Sequence, residues 1–489
     1  MSIMHRRTAH AALWSGIEIL ARACSQIVVT LVLARLLTPN DFGLVAMLLV
    51  FTSLGGLLTD AGFGTALVQR PQVTADDETT VFWFGIVTGA LVAVLLCLGA
   101  DAIARFYAQP ALASLTCVAA LGIPLGALGA VPDALLTKRM DFLARTNATL
   151  VASVGSGALA VVLAWRGYGV WSLVGQGLAA SGLRSASLWF FSGWRPRGTF
   201  RIASFLALFG FGGYMLLSGL LYTIAGRLQS LLIGKLFDAR SLGYYTLAQT
   251  VQDAPTTFIG GLLGRVGLPV FATISGQPDK LRDALRTALR ISMFVFIPSM
   301  FGLALIARPL IVTLYGEQWS PAAPALSLLS IAASIWPLHV LNLAALNAQG
   351  RSDRFFYLEI FKNITIVSLT LTAAPFGQNA VAGAMIVAGV CSAGINTWYS
   401  SKMLDFGLRA QLLDQKGTFA LSILASIPAW CVLHWTRQGV LPTLLAIALA
   451  VLVYVGGALV TRHPALRELL GVLRDVSQRW RPQIIDPND

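Results

Sequence analysis

FGLVAMLLVFTSLGGLLTDAGFGTALV, residues 42–68, is the stretch whose reading decides the fold. It is longer than the roughly 20 apolar residues a helix needs to cross a bilayer. Asp60 is its only charge. A polar turn separates it from an apolar run at 12–36 that ends in Arg35. Similar runs follow at 80–100, 112–135, 147–165 and 168–191. A second set occupies 204–235, 243–272, 288–307, 322–346, 357–375, 380–401, 418–436 and 441–461. The expected structure is therefore an all-α integral membrane protein of fourteen transmembrane helices. Composition agrees: 56% of the 489 residues are hydrophobic, 12% are charged and mean hydropathy is +0.72. A soluble domain carries about 25% charged residues.

The net charge of +13 would point to nucleic acid in a soluble protein. Its placement points elsewhere. With the N-terminus inside, 24 Lys and Arg fall in cytoplasmic segments, 7 on the opposite side and 4 within spans. That bias is the positive-inside pattern, with both termini cytoplasmic and no nucleic-acid partner. Met1–His10 is short and basic, and the run after it is too long for a cleaved leader, so the first helix is expected to stay as an anchor. The cysteines lie in apolar runs without metal spacing, so neither metal nor disulfide chemistry is expected. Nor does a catalytic motif stand in a plausible setting or any outer loop reach domain size, which argues against an enzyme.

Sliding the chain by 200 residues sets Leu33-Ala34-Arg35-Leu36-Leu37 on Ile233-Gly234-Lys235-Leu236-Phe237, and Phe42-Gly43 on Leu242-Gly243. Phe106-Tyr107 and Leu314-Tyr315 are each followed by a Leu-rich helix with a mid-span proline, Pro124 or Pro337. These matches predict a duplication of six helices per half, hence parallel repeats about an axis along the membrane normal with a central cleft. The expected organisation is an N-terminal lobe at 1–197, a C-terminal lobe at 198–405, an extra helix pair at 406–461 and a cytoplasmic amphipathic tail at 462–489. Lys280–Arg290 reads as a second amphipathic surface segment.

Charges inside spans are costly and face cavities or partners, so they are the candidates for function. Glu18 and Arg22 share a face of the first helix, as a neutralising pair or as cavity lining. Arg227 and Arg265 have no acidic residue at i±3 or i±4. A guanidinium's two-pronged donors suit a phosphate group. Asp60 and Asp253 either couple an ion or satisfy helix ends and arginines. His339 reads as a satisfied buried histidine, and Arg184 as a side chain reaching to the interface.

Several segments together resemble a known family. They are Ala34-Arg35-Leu36-Leu37 with Phe42-Gly43-Leu44, Asp60-Ala61-Gly62-Phe63-Gly64, Gln69-Arg70, Gly264-Arg265-Val266 with Pro269-Val270-Phe271, Tyr315-Gly316-Glu317-Gln318-Trp319 and Arg462-His463-Pro464. In order and spacing they resemble the polysaccharide-transporter branch of the multidrug/oligosaccharidyl-lipid/polysaccharide exporter superfamily, nearest the colanic acid exporter type. The resemblance implies an inner-membrane flippase that moves undecaprenyl-pyrophosphate-linked repeat units outward for exopolysaccharide, capsule or O-antigen. It implies membrane lipid, a polysaccharide polymerase and a chain-length regulator as partners. It also implies an arginine-lined cavity for pyrophosphate, to which Arg22, Arg265 and Arg227 are assigned, with Glu18, Asp60 and Asp253 as polar or ion-coupling residues. No cofactor is expected, and proton or sodium coupling is left open. The alternatives are a drug/cation antiporter, which should favour carboxylates in its cleft, and a scaffold subunit, which needs no buried charge.

Overall fold

The computed structural model describes residues 26–274, 276–349, 352–436 and 439–479. Among these residues the chain is helical and forms no strand. Among the described residues, nine helical segments are long and apolar enough to cross a membrane. Glu18 and Arg22 lie outside the described residues. Two compact units meet in sequence between Thr246 and Leu247.

The first unit begins with α1 (Gln26–Leu36) and α2 (Pro39–Asp60). A reciprocal capping box starts α2: Asp41 N donates to Thr38 Oγ1 at 3.4 Å, and Thr38 N to Asp41 Oδ2 at 2.9 Å. Pro39 occupies the first turn, where a missing N–H costs nothing. α2 stops within its span, at Ala61 (φ 46°) and Gly62 (φ 73°), and α3 (Phe63–Gln69) resumes the crossing. Ala61 is fully buried in the left-handed region, which costs a non-glycine residue about 1–2 kcal/mol.

Next come α4 (Ala75–Leu98), α5 (Ala100–Tyr107), α6 (Ala111–Ala120), α7 (Gly122–Lys138), α8 (Phe142–Trp165), α9 (Val170–Ser192) and α10 (Ile202–Leu236). Phe63, Leu67, Phe82, Leu135, Trp194 and Leu208 form one core. The 193–201 connection is strapped to the start of α4. Gly198 N donates to Thr79 Oγ1 at 3.0 Å, Thr199 N to Asp76 Oδ1 at 2.8 Å and Trp194 Nε1 to Glu78 Oε2 at 2.6 Å. Gly198 is required there, because a Cβ would lie 2.4 Å from the Ala75 carbonyl oxygen.

α11 (Ala239–Thr273) opens in the first unit and continues in the second. Where it opens, the matched glycines meet. A Cβ on Gly43 would lie 1.6 Å from the Ala239 carbonyl oxygen, and one on Gly243 would lie 1.9 Å from that of Pro39. The two contacts exchange under the 200-residue offset, the reciprocity an internal two-fold requires. Close backbone approach through small residues is how helices associate where lipid removes the hydrophobic drive.

In the second unit, α12 (Pro278–Leu305), α13 (Ala307–Tyr315), α14 (Ala323–Ala333) and α15 (Trp336–Ala348) precede α16 (Ser352–Ala373) and α17 (Gln378–Leu404). They are followed by α18 (Leu408–Asp414), α19 (Lys416–Trp435), α20 (Val440–Val460) and α21 (Pro464–Arg479). The proline-matched spans both break just before their proline: α6 passes to α7 at Leu121, ahead of Pro124, and α14 to α15 at Ser334–Ile335, ahead of Pro337. Proline lacks the N–H that would continue the ladder.

Lys280–Arg290 is no separate surface helix. It is the start of α12, with Leu281, Leu285 and Leu289 fully buried beside Leu338 and Leu341. Below them Asn342, Ser400 and Gln411 form a closed network. Ser400 Oγ donates to Asn342 Oδ1 at 2.6 Å, and Gln411 Nε2 to the same atom at 3.0 Å. Buried polar groups in a membrane protein must find such partners. α21 is amphipathic as expected, but it packs on the unit. Leu466 and Leu469 meet Phe294, Tyr454 and Ala458, and Glu468 holds Arg290 at 3.0 Å. Arg290 and Arg286 also reach Asp414 at 2.6 and 2.8 Å. Burial alone would raise the Asp414 carboxyl, but hydrogen bonds from Arg290 and Arg286 and their charge hold it below the usual carboxylate range.

Candidate functional site

Each unit holds a cavity within it. The first unit encloses about 420 Å³ among α2, α4, α6, α7 and α9. Small residues make the space: Gly56, Gly126 and Gly177 have open volume where a Cβ would point. Its polar groups are Thr52, Ser53, Thr59, Asp60 and Ser181. The Asp60 carboxylate accepts hydrogen bonds from the backbone N–H groups of Gly62 and Gly64. It thus satisfies the start of α3, the bland alternative raised for it, while still lining the cavity.

Beneath this cavity lies an ion cluster that sequence reasoning missed. Asp133 on α7 receives Arg145 of α8 at 2.9 Å and Arg184 of α9 at 3.3 Å. Arg184 therefore does not simply reach for the interface: it pairs with the Asp133 carboxylate. The signal was Asp133 itself, a carboxylate at the end of an apolar run with Arg145 twelve residues on.

The second unit carries a groove of about 500 Å³ between α12, α19 and α20, with Pro255 of α11 at its edge. Its lining is apolar apart from Ser299, Ser422, Ser426 and Tyr454. Tyr454 spends its proton on the Phe294 carbonyl oxygen, at 2.7 Å. Within the lining itself, Val451 and Val295 stay 56% and 42% exposed, which suits a lipid-facing surface.

The other candidates are dispersed. Arg227 is half-buried on α10, Asp253 is exposed on α11, and Arg265 lies further along α11, its side chain outside the described residues. His339 Nδ1 sits 3.2 Å from Asn396 Nδ2, so the imidazole has the bland, satisfied role assigned to it.

Residues 32–324 match a family described as polysaccharide biosynthesis protein. The chain belongs to that family. It is 26% identical over 471 residues to the teichuronic acid biosynthesis protein TuaB of Bacillus subtilis (strain 168), covering 93% of this chain and 95% of TuaB. It is 25% identical over 463 residues to the succinoglycan biosynthesis transport protein ExoT of Rhizobium meliloti (strain 1021), covering 92% of each. Among solved structures, the lipid II flippase MurJ in an inward closed conformation superposes with a TM-score of 0.76 at 15% identity. That match covers 92% of this chain and 99% of MurJ, and shows a shared fold. The chain is thus a multi-pass membrane protein that shares the fold of MurJ, as its apolar runs led us to expect.

Proposed function

We propose that this protein is a flippase that carries undecaprenyl-pyrophosphate-linked oligosaccharide repeat units from the cytoplasmic to the periplasmic leaflet of a bacterial inner membrane. Membership of the polysaccharide biosynthesis family and the MurJ-like fold support this class of cargo. Export of exopolysaccharide, capsule or O-antigen would follow, with a polymerase and a chain-length regulator receiving the unit outside. The family relation favours it over the drug/cation antiporter reading.

The observation that carries the reading is the apolar groove of the second unit. A lipid-linked sugar has two incompatible ends. Its pyrophosphate and sugars cannot cross about 30 Å of hydrocarbon unaided. Its polyprenyl tail has no reason to leave it. A carrier therefore needs a shielded polar path beside a groove open to lipid. The groove between α12, α19 and α20 provides the second, at 500 Å³ and almost without polar atoms. The pyrophosphate end is assigned to Arg22, Arg227 and Arg265, and the lobes 1–197 and 198–405 are taken to rock about the cleft between them.

Ala450→Trp, which fills the groove from α20, should slow transfer of a fluorescent undecaprenyl-pyrophosphate oligosaccharide across proteoliposomes by about tenfold or more. Unchanged transfer would remove the tail from this groove. The 24-to-7 basic asymmetry supports a topology with both termini in the cytoplasm. Reporter fusions after Ile202, Gln277 and Pro487 should all read cytoplasmic, and a periplasmic signal at any of them breaks that topology.

A further inference from the structure

Two cysteines that stand 20 residues apart in the sequence meet in the first unit. Cys97 is the last residue but one of α4, and Cys117 lies in α6, which packs on α4. The Cys117 thiol donates to the Cys97 carbonyl oxygen at 3.7 Å and also hydrogen-bonds the Cys97 side chain. Their spacing, outside any C-x-x-C pattern, hid a pairing that exists only once the two helices pack.

The pair is accessible. Cys97 is exposed and Cys117 is half-buried. The Asp101 carboxylate, exposed in the first turn of α5, acts electrostatically on Cys117. A carboxylate is costly in hydrocarbon, so its exposure sets the cysteines near the edge of the bilayer and not at its middle. Asp101 also lines an open cavity of about 690 Å³ with Arg105, Gln109 and Ala113. Ala113 stands one turn before Cys117 on α6, so water and small solutes in the cavity approach the pair.

The side of the membrane decides what becomes of two adjacent thiols. In the orientation with both termini cytoplasmic, the connection 101–111 lies on the opposite face. Outside the cytoplasm, paired thiols are oxidised, whereas inside it they are kept reduced.

We propose that Cys97 and Cys117 form an intramolecular disulfide, closed in the cell by a thiol-oxidase protein that carries a reactive disulfide. The more exposed Cys97 loses its proton and attacks one donor sulfur, expelling the other as a thiolate. Cys117 then gives up its proton and attacks the Cys97 sulfur of this mixed disulfide, which releases the donor as a dithiol. Two electrons and two protons pass from the pair to the donor. The bond closes residues 97–117 into a loop that contains α5. Phe106 of α5 accepts the Lys235 ammonium on its carbonyl oxygen and holds it 4.7 Å from its ring centre. The crosslink therefore fixes α5 against the last turn of α10. This rests on the orientation of the chain and not on its cargo.

The test counts thiols in the full-length protein. Membranes are quenched in acid, denatured and treated with a maleimide polymer that retards the chain once for each free thiol. The chain has five cysteines, so three additions are expected without reductant (Cys24, Cys391 and Cys431) and five after it. Cys97→Ser should give four additions in both conditions, and Cys117→Ser carries the same comparison if Cys97→Ser fails to insert. Reduction should lower the melting temperature of the purified wild type by about 2–4 °C and leave that of Cys97→Ser unchanged. Five free thiols in unreduced membranes overturn the proposal. So does a disulfide-linked dimer that Cys97→Ser abolishes. Loss of the flippase reading would leave the count unchanged, because no lipid-linked substrate enters it.

Discussion

Arg265→Ala is expected to abolish polysaccharide export while the protein remains inserted and folded. Arg265 lies in α11, between Gly264 and Val266, with Gly261, Leu262, Leu268 and Pro269 at the positions one turn away. None of these can neutralise a guanidinium. A charge carried into a span without a local partner needs water, an acid on another helix or an anionic ligand. A pyrophosphate, as proposed above, would satisfy the guanidinium through paired N–H donors that lysine cannot reproduce. Removing one member of a desolvated charge pair costs about 2–5 kcal/mol, a factor of roughly 30 to several thousand. Arg265→Lys should therefore restore part of the activity. Arg22→Ala should be milder if Glu18 neutralises Arg22. Complementation of a flippase-deficient host, with membrane levels of each variant measured alongside, reads the outcome. Full export from well-expressed Arg265→Ala would move the anion site elsewhere and leave the class of cargo intact.

What could be read from the residues alone follows from how far each signal reaches along the chain. An apolar run needs only its own residues to declare itself, so 42–68 and its counterparts give the class of fold directly. The paired prolines Pro124 and Pro337 were likewise visible, and both spans break beside them. The break at Ala61 was not visible, because alanine is the best of helix formers and Gly62 is one glycine among 46. Lys280–Arg290 misled for a related reason. A leucine stripe flanked by arginines looks the same whether it lies on lipid or is buried against α15, and only the partner decides. The site suffered most. Asp60, Ser181 and Gly126 come from three helices and meet only through packing. Arg184 could not be assigned until Asp133, 51 residues earlier, was found 3.3 Å away.

The crossing of α2 and α11 gives the second large effect. Gly43→Ala should impair export strongly and Gly43→Leu should abolish it, with Gly243→Ala behaving as Gly43→Ala does. A Cβ at Gly43 meets the Ala239 carbonyl oxygen at 1.6 Å, and one at Gly243 meets that of Pro39 at 1.9 Å. Neither oxygen can move aside, since both belong to helix backbone. The helices must separate by more than an ångström to reach ordinary contact. Interiors pack too densely to absorb such a shift locally, so the strain is relieved by parting the crossing. If the two repeats rock against each other, this crossing closes in one state and opens in the other. A side chain at either glycine then removes the closed state from the cycle, and a carrier held open on one side cannot complete transport. The reciprocal arrangement makes the expectation symmetrical: two substitutions 200 residues apart should give one phenotype. Cysteines at Asn40 and Arg240, both exposed beside the crossing, should crosslink readily in the parent chain and poorly once Gly43→Ala is added. Equal crosslinking in both, or full export by Gly43→Leu, would show that the crossing is a fixed joint around which nothing moves.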